Sequence, residues 1–132
     1  MGREQVKPGQ LVWMLRAVVL LHALLVLAQA LFAGQFLDDT RQALRWHAIT
    51  GTTVVMSVAL VHCVLALLGW RKRVQSLGFL AASAGLYVVE GAQIGFGFSD
   101  RLAVHVPLGV LIFGWAALLV FMAFGAVPEP QR

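Results

Sequence analysis

Two histidines in this chain are each followed, at the same interval, by a glycine. His47 precedes Gly51 and His105 precedes Gly109. Four residues is about one helical turn, so each glycine shares a helix face with its histidine. A neutral imidazole is a common metal ligand, and an opposed pair can occupy both axial positions of a haem iron. A glycine one turn below removes the side chain that would strike the edge of a macrocycle. Arg41, Arg45 and Arg101 lie near the same two histidines in sequence. Propionates emerging there could accept charge-assisted hydrogen bonds from them. Together these residues predict a b-type haem held by His47 and His105, with Gly51, Gly109, Arg41, Arg45 and Arg101 around it. Each part also has a plainer reading. Histidines join helices, glycines let helices pack closely, and arginines anchor at interfaces.

Further polar residues recur at helical spacing. His22 and Gln29 are seven apart, and Ser76, Ser83, Glu90 and Gly97 form a series of sevens. Seven residues is two turns, so each set forms one stripe. His62 adds a polar position to the second apolar segment. A second haem on His22 and His62 is disfavoured, because their segments are sequence neighbours and pack too closely to sandwich a macrocycle. Direct hydrogen bonding between them, or to Gln29, is the simpler expectation. Glu90 is the one carboxylate inside an apolar segment. It reads as neutral, as paired with a histidine or Gln93, or as a proton carrier, with a structural or supporting role favoured. Zinc usually takes three or four close protein ligands, and no H-x-x-E or H-E-x-x-H spacing occurs. No Ser-His-Asp set or phosphate loop is present, so the chain reads as a haem-binding or electron-transfer protein more than as an enzyme. Cys63 is the single cysteine, so no disulfide can form within the chain.

The elements that must position these residues are read from hydropathy. Of 132 residues, 60% are apolar and 12% charged, and mean hydropathy is +0.83. Four apolar segments, 11–33, 46–70, 74–98 and 102–124, each approach the ~20 residues that span a bilayer. The connections are short: Gly34–Arg45, Arg71-Lys72-Arg73 and Ser99-Asp100-Arg101. Short connections make antiparallel neighbours, which predicts an all-α, integral membrane, up-down-up-down four-helix bundle. Residues 1–10 read as a polar lead that is retained, 11–125 as one transmembrane domain, and 126–132, with Pro128 and Pro130, as a non-helical tail. In such a bundle the second and fourth helices are diagonal partners. Both histidines open their helices from the same side, so antiparallel threading brings them level.

Net charge is +4, and its distribution reports topology before any polyanionic partner. Arg3, Lys7, Arg71, Lys72, Arg73 and Arg132 fall on one side; Arg41, Arg45 and Arg101 fall on the other, beside Asp38, Asp39 and Asp100. The positive-inside rule puts both termini in the cytoplasm, as in a multi-pass protein of the bacterial inner membrane. Arg16, one turn into the first segment, reads as snorkelling to headgroups. No basic run interleaved with aromatics suggests nucleic acid.

Four spans with histidines near one face on the second and fourth helices resemble one half of haem A synthase. That resemblance implies haem ligation by His47 and His105. The chain departs from it where that enzyme has a glutamate just before the second-helix histidine; here Ala43 and Leu44 stand there. Paired loop cysteines are also missing, so haem binding carries over and haem A synthesis does not. The segments Gln29-Ala30-Leu31-Phe32-Ala33-Gly34 and His105-Val106-Pro107-Leu108-Gly109-Val110-Leu111-Ile112-Phe113-Gly114, with His47 between them, are also similar to an uncharacterised family of small bacterial four-span proteins. The leading expectation is a cytochrome-b-like protein for electron transfer or redox sensing, with the lipid bilayer and a membrane redox partner or second copy as its company. The alternatives are a cofactor-free accessory or assembly subunit of a larger membrane complex, and a small proton-coupled transporter using Glu90.

Overall fold

A computed structural model describes residues 7–125. Most of the polar lead and all of the 126–132 tail lie outside the described residues, as do Arg3 and Arg132. Four helices carry the fold: α1 (Pro8–Leu37), α2 (Arg41–Arg71), α3 (Leu77–Phe98) and α4 (Leu102–Gly125). All four are long and apolar enough to cross a membrane. No strand occurs among the described residues. The chain is an all-α four-helix bundle in which α1 packs on α2 and α4, and α3 packs on the same two helices. That ring of neighbours leaves α1 opposite α3, and α2 opposite α4.

The helices run further than hydropathy alone indicates. Pro8, at the first helical position, opens α1 inside the segment expected to be polar lead. Lys7 N–H donates to Gln10 Oε1 at 3.2 Å across that first turn. At the other end α1 continues to Leu37, and α2 already starts at Arg41. The expected 34–45 connection is therefore mostly helix, with a turn over 38–40. Polarity marks where a helix leaves hydrocarbon, not where it ends. The third helix departs in the other direction. It begins at Leu77 rather than Val74, because Ser76 is its N-cap and accepts from Phe79 N–H at 3.1 Å. Ser76 therefore belongs to the cap and not to the buried stripe expected of it.

All three turns are built the same way. Thr40 N–H reaches Gln35 O, Val74 N–H reaches Gly69 O, and Arg101 N–H reaches Phe96 O, at 3.0, 2.9 and 3.0 Å. These six-to-one bonds close helix C-termini through a residue in the left-handed region, usually glycine. Here the residues are Asp39, Arg73 and Asp100, with φ of 65°, 59° and 55°. Aspartate tolerates that region better than arginine does.

Burial is uneven along the bundle. On α1 the buried positions are Leu11, Leu15, Val19, His22, Ala23 and Val26, with none beyond. On α3 they stop at Glu90, and on α4 they begin only at Ile112. The end carrying the 71–76 turn is thus closed by Leu15, Ala66, Phe79, Leu86 and Leu119. The end carrying the 38–40 and 99–101 turns is open. Outward-facing Leu24, Val61, Val88, Leu111 and Phe121 are exposed, as a lipid-facing surface requires. At the closed end Arg16 Nε donates to Ala123 O at 3.0 Å, under Trp13 and Phe124. The cation meets a carbonyl in the last turn of α4, where helix hydrogen bonding runs out and the dipole is negative.

The left-handed turn at Arg73 gives a direct check. Arg73→Gly should raise stability by about 1 kcal/mol, and Arg73→Val should lower it by about 1–2 kcal/mol. Thermal denaturation in detergent reads both.

Candidate functional site

The open end encloses a cavity of about 450 Å³, within the 300–1,000 Å³ common for ligand sites. All four helices line it, and its wall includes both His47 and His105, with Gly51, Gly109, Gln29, Gln93 and Glu90. The two histidines meet across the α2–α4 diagonal with ring centres 6.0 Å apart and planes at 72°.

Each ring is held by the main chain of a neighbouring helix. His47 Nδ1 lies 3.0 Å from Gln29 O on α1, and His105 Nδ1 lies 2.9 Å from Gln93 O on α3. A carbonyl oxygen only accepts, so both rings carry their proton on Nδ1 and keep Nε2 as a lone pair. That is the tautomer of a metal-ligating histidine fixed by a carbonyl.

Local sequence explains how His47 comes to face the cavity. Directly after it, Thr50–Val55 forms a π-helical turn within α2. Glycine and five β-branched residues weaken the α-helix there. Threonine hydroxyls bond back to carbonyls four residues earlier. Thr50 Oγ1 donates to Trp46 O at 2.6 Å, Thr52 Oγ1 to Ala48 O at 2.8 Å, and Thr53 Oγ1 to Ile49 O at 2.6 Å. Gln29 Nε2 donates to Thr50 Oγ1 at 2.8 Å, tying α1 to this turn. Such turns frequently mark functional positions.

The glycines serve a purpose different from the one expected of them. A Cβ at Gly51 would lie 3.1 Å from Gln29 Oε1, and one at Gly109 would lie 3.0 Å from Gln93 Nε2. The notches therefore receive the two glutamine side chains rather than standing open. Gln93 Nε2 also donates to His105 O at 2.7 Å, so Gln93 grips His105 at both main chain and ring. A third glycine matters more to the ring. A Cβ at Gly97 would stand 2.9 Å from His105 Cε1. In the sequence Gly97 falls on the polar stripe without a role, and Gln93 stands only as a possible partner of Glu90. Their spacing from Glu90 carried no signal for a clamp on the fourth helix.

The remaining predicted residues separate into two groups. Arg41, Arg45 and Arg101 are exposed at the open end, and none lines the cavity. Arg45 instead borders a shallow notch with Gln42, Trp46 and Ile49. His22, His62, Ser83 and Glu90 form a buried row that reaches the cavity at Glu90. His22 Nδ1 and His62 Nδ1 are 3.1 Å apart, which leaves no room for a macrocycle between them. His62 Nε2 meets Ser83 Oγ at 3.1 Å, and His22 Nε2 stands 2.8 Å from Glu90 Oε1. Cys63 S–H donates to Ser83 O at 3.4 Å, which makes it part of the packing. No group of three or more His, Cys, Asp or Glu converges among the described residues, so a bare metal ion has no ready cage.

Comparison with protein-family models, with curated proteins and with solved structures finds no match to this chain.

Gly97→Ala should cost about 1–3 kcal/mol through overpacking against the His105 ring. Gly95→Ala, with open space around it, should not destabilise. Thermal denaturation of the two variants side by side separates a steric effect from a general loss of helix flexibility.

Proposed function

We propose that this chain is a small cytochrome-b-like membrane protein in which His47 and His105 hold one b-type haem, each through Nε2. The single observation behind this reading is the paired anchoring. Two rings on diagonal helices both give Nδ1–H to a carbonyl, both keep Nε2 free, and both border one cavity. The two ring centres lie 6.0 Å apart, and these two residues would hold the iron.

When bound, the haem would supply a one-electron couple, suited to electron transfer or redox sensing. The protein's part is to hold and shield. Gln29 and Gln93 fix tautomer and ring orientation, and their amides are fixed in turn by Thr50 and the His105 carbonyl. Gly97 gives the His105 ring its seat against α3. Val55, Ile94, Ile112 and Phe113 give the cavity its apolar wall, which would limit water around a bound haem. Arg41, Arg45 and Arg101 are the cations at that end for acidic edge groups to meet. The loop charges favour a bacterial inner membrane with cytoplasmic termini, which sets the cavity in the outer leaflet. Electrons would then pass to a membrane redox partner or a second copy.

Expression with haem supplied, followed by dithionite reduction in detergent, should give a sharp α-band in the purified protein. His47→Ala and His105→Ala should each abolish that low-spin spectrum. Either variant retaining the full spectrum would falsify the ligand assignment. A colourless preparation travelling with a larger complex would select an accessory-subunit role instead.

A further inference from the structure

Hydrogen bonds along the buried row fix where its protons sit. Ser83 Oγ–H donates to Phe79 O at 2.8 Å, so toward His62 Nε2 that oxygen accepts. His62 therefore carries its proton on Nε2 and presents Nδ1 as a lone pair. His22 Nδ1, 3.1 Å away, must then be the donor. A neutral His22 is left with a bare Nε2, and that atom lies 2.8 Å from Glu90 Oε1. The approach is too oblique for a good hydrogen bond. The distance still decides the protonation. A nitrogen lone pair and an ionised carboxylate repel at that range in a low-dielectric interior. One proton must therefore reside on the pair, on Glu90 or on His22. His22 and Glu90 are 2% and 4% exposed, and Glu90 Oε2 has no partner in the cavity it lines.

All four helices bring groups toward this pair. α1 brings His22 itself and Gln29; α2 brings His62, Cys63 and, higher in the cavity, His47. α3 brings Ser83 and Gln93 beside Glu90, and α4 brings His105 and otherwise apolar or glycine positions. Among the described residues lining the cavity there is no arginine or lysine to offset a negative charge. Charge arriving in the cavity therefore meets titratable groups and no fixed cation.

We propose that the Glu90–His22–His62 cluster is a redox-linked protonation site, taking up one proton for each electron that enters the cavity and releasing it on oxidation. The proposal rests on the haem reading above. In the balanced step, a one-electron donor supplies the electron and water at the cavity mouth supplies the proton. The proton load of the His22–Glu90 pair rises from one to two, as imidazolium beside neutral carboxylic acid. No other bond forms or breaks. Reduction and protonation then favour each other, and potential falls as pH rises.

The test is potentiometry of the purified protein across mildly acidic to mildly alkaline pH. Full coupling means a tenfold proton activity per pH unit appears as about 59 mV for a one-electron couple. Wild type should approach that slope, while Glu90→Gln should flatten it and keep its haem spectrum. His22→Gln should do the same, and serves if Glu90→Gln does not fold. Infrared spectra of haem-free protein give a second readout. A protonated-carboxyl or imidazolium band should be present in wild type and missing in Glu90→Gln. A coloured protein with a flat wild-type slope, or with equal slopes in wild type and variants, overturns the coupling and leaves the haem reading intact. Infrared spectra without any Glu90-dependent band overturn the shared proton. A colourless protein overturns the haem reading, and the coupling with it.

Discussion

Two main-chain carbonyls, those of Gln29 and Gln93, govern the open half of the bundle. Each already belongs to a helix, so its position is set by helical geometry rather than by a side-chain rotamer. Each accepts from an imidazole on the neighbouring helix, at 3.0 and 2.9 Å. A ring anchored this way loses freedom at Nδ1 and gains a defined direction at Nε2. The side chains of the same glutamines settle over Gly51 and Gly109 and bond Thr50 and the His105 carbonyl. Backbone and side chain of one residue type thus secure both members of the pair, on opposite sides of the bundle.

This arrangement requires a division of labour along the helix axes. The closed half is packed by Leu15, Ala66, Phe79, Leu86 and Leu119, all with almost no exposure. It holds the four helices at fixed spacing. The open half can then keep a cavity without collapsing, because its walls are extensions of helices set elsewhere. The polar row from Ser83 to Glu90 lies between the two halves. Its members are nearly fully buried, so each hydrogen bond along it constrains the next.

Much of this was legible in the sequence. Four apolar stretches and three short connections are enough for the bundle and for the α2–α4 diagonal. The level placement of His47 and His105 follows from antiparallel threading. Helix ends were less visible, because hydropathy reports the bilayer boundary and the 34–45 stretch stays helical beyond it. Ser76 looked like one of a buried series until its cap position explained it. Gly51 and Gly109 were noticed for their spacing, but spacing does not reveal which side chain fills a notch. Gln93 and Gly97 act on a histidine of another helix, a relation that single-helix periodicity does not encode. The π turn was marked only indirectly, by glycine and consecutive β-branched residues within an otherwise apolar span.

That wide turn makes the aim of His47 depend on a residue count. Thr50–Val55 holds one residue more per turn than an α-helix would. Were the chain one residue shorter there, α2 could close into an ordinary helix, and everything before it would rotate by about 100° relative to the packed half. The imidazole would leave the diagonal and point elsewhere, though no residue of the cavity wall had been altered in kind. For this helix, segment length is therefore as much a determinant of the site as the chemistry of the ring.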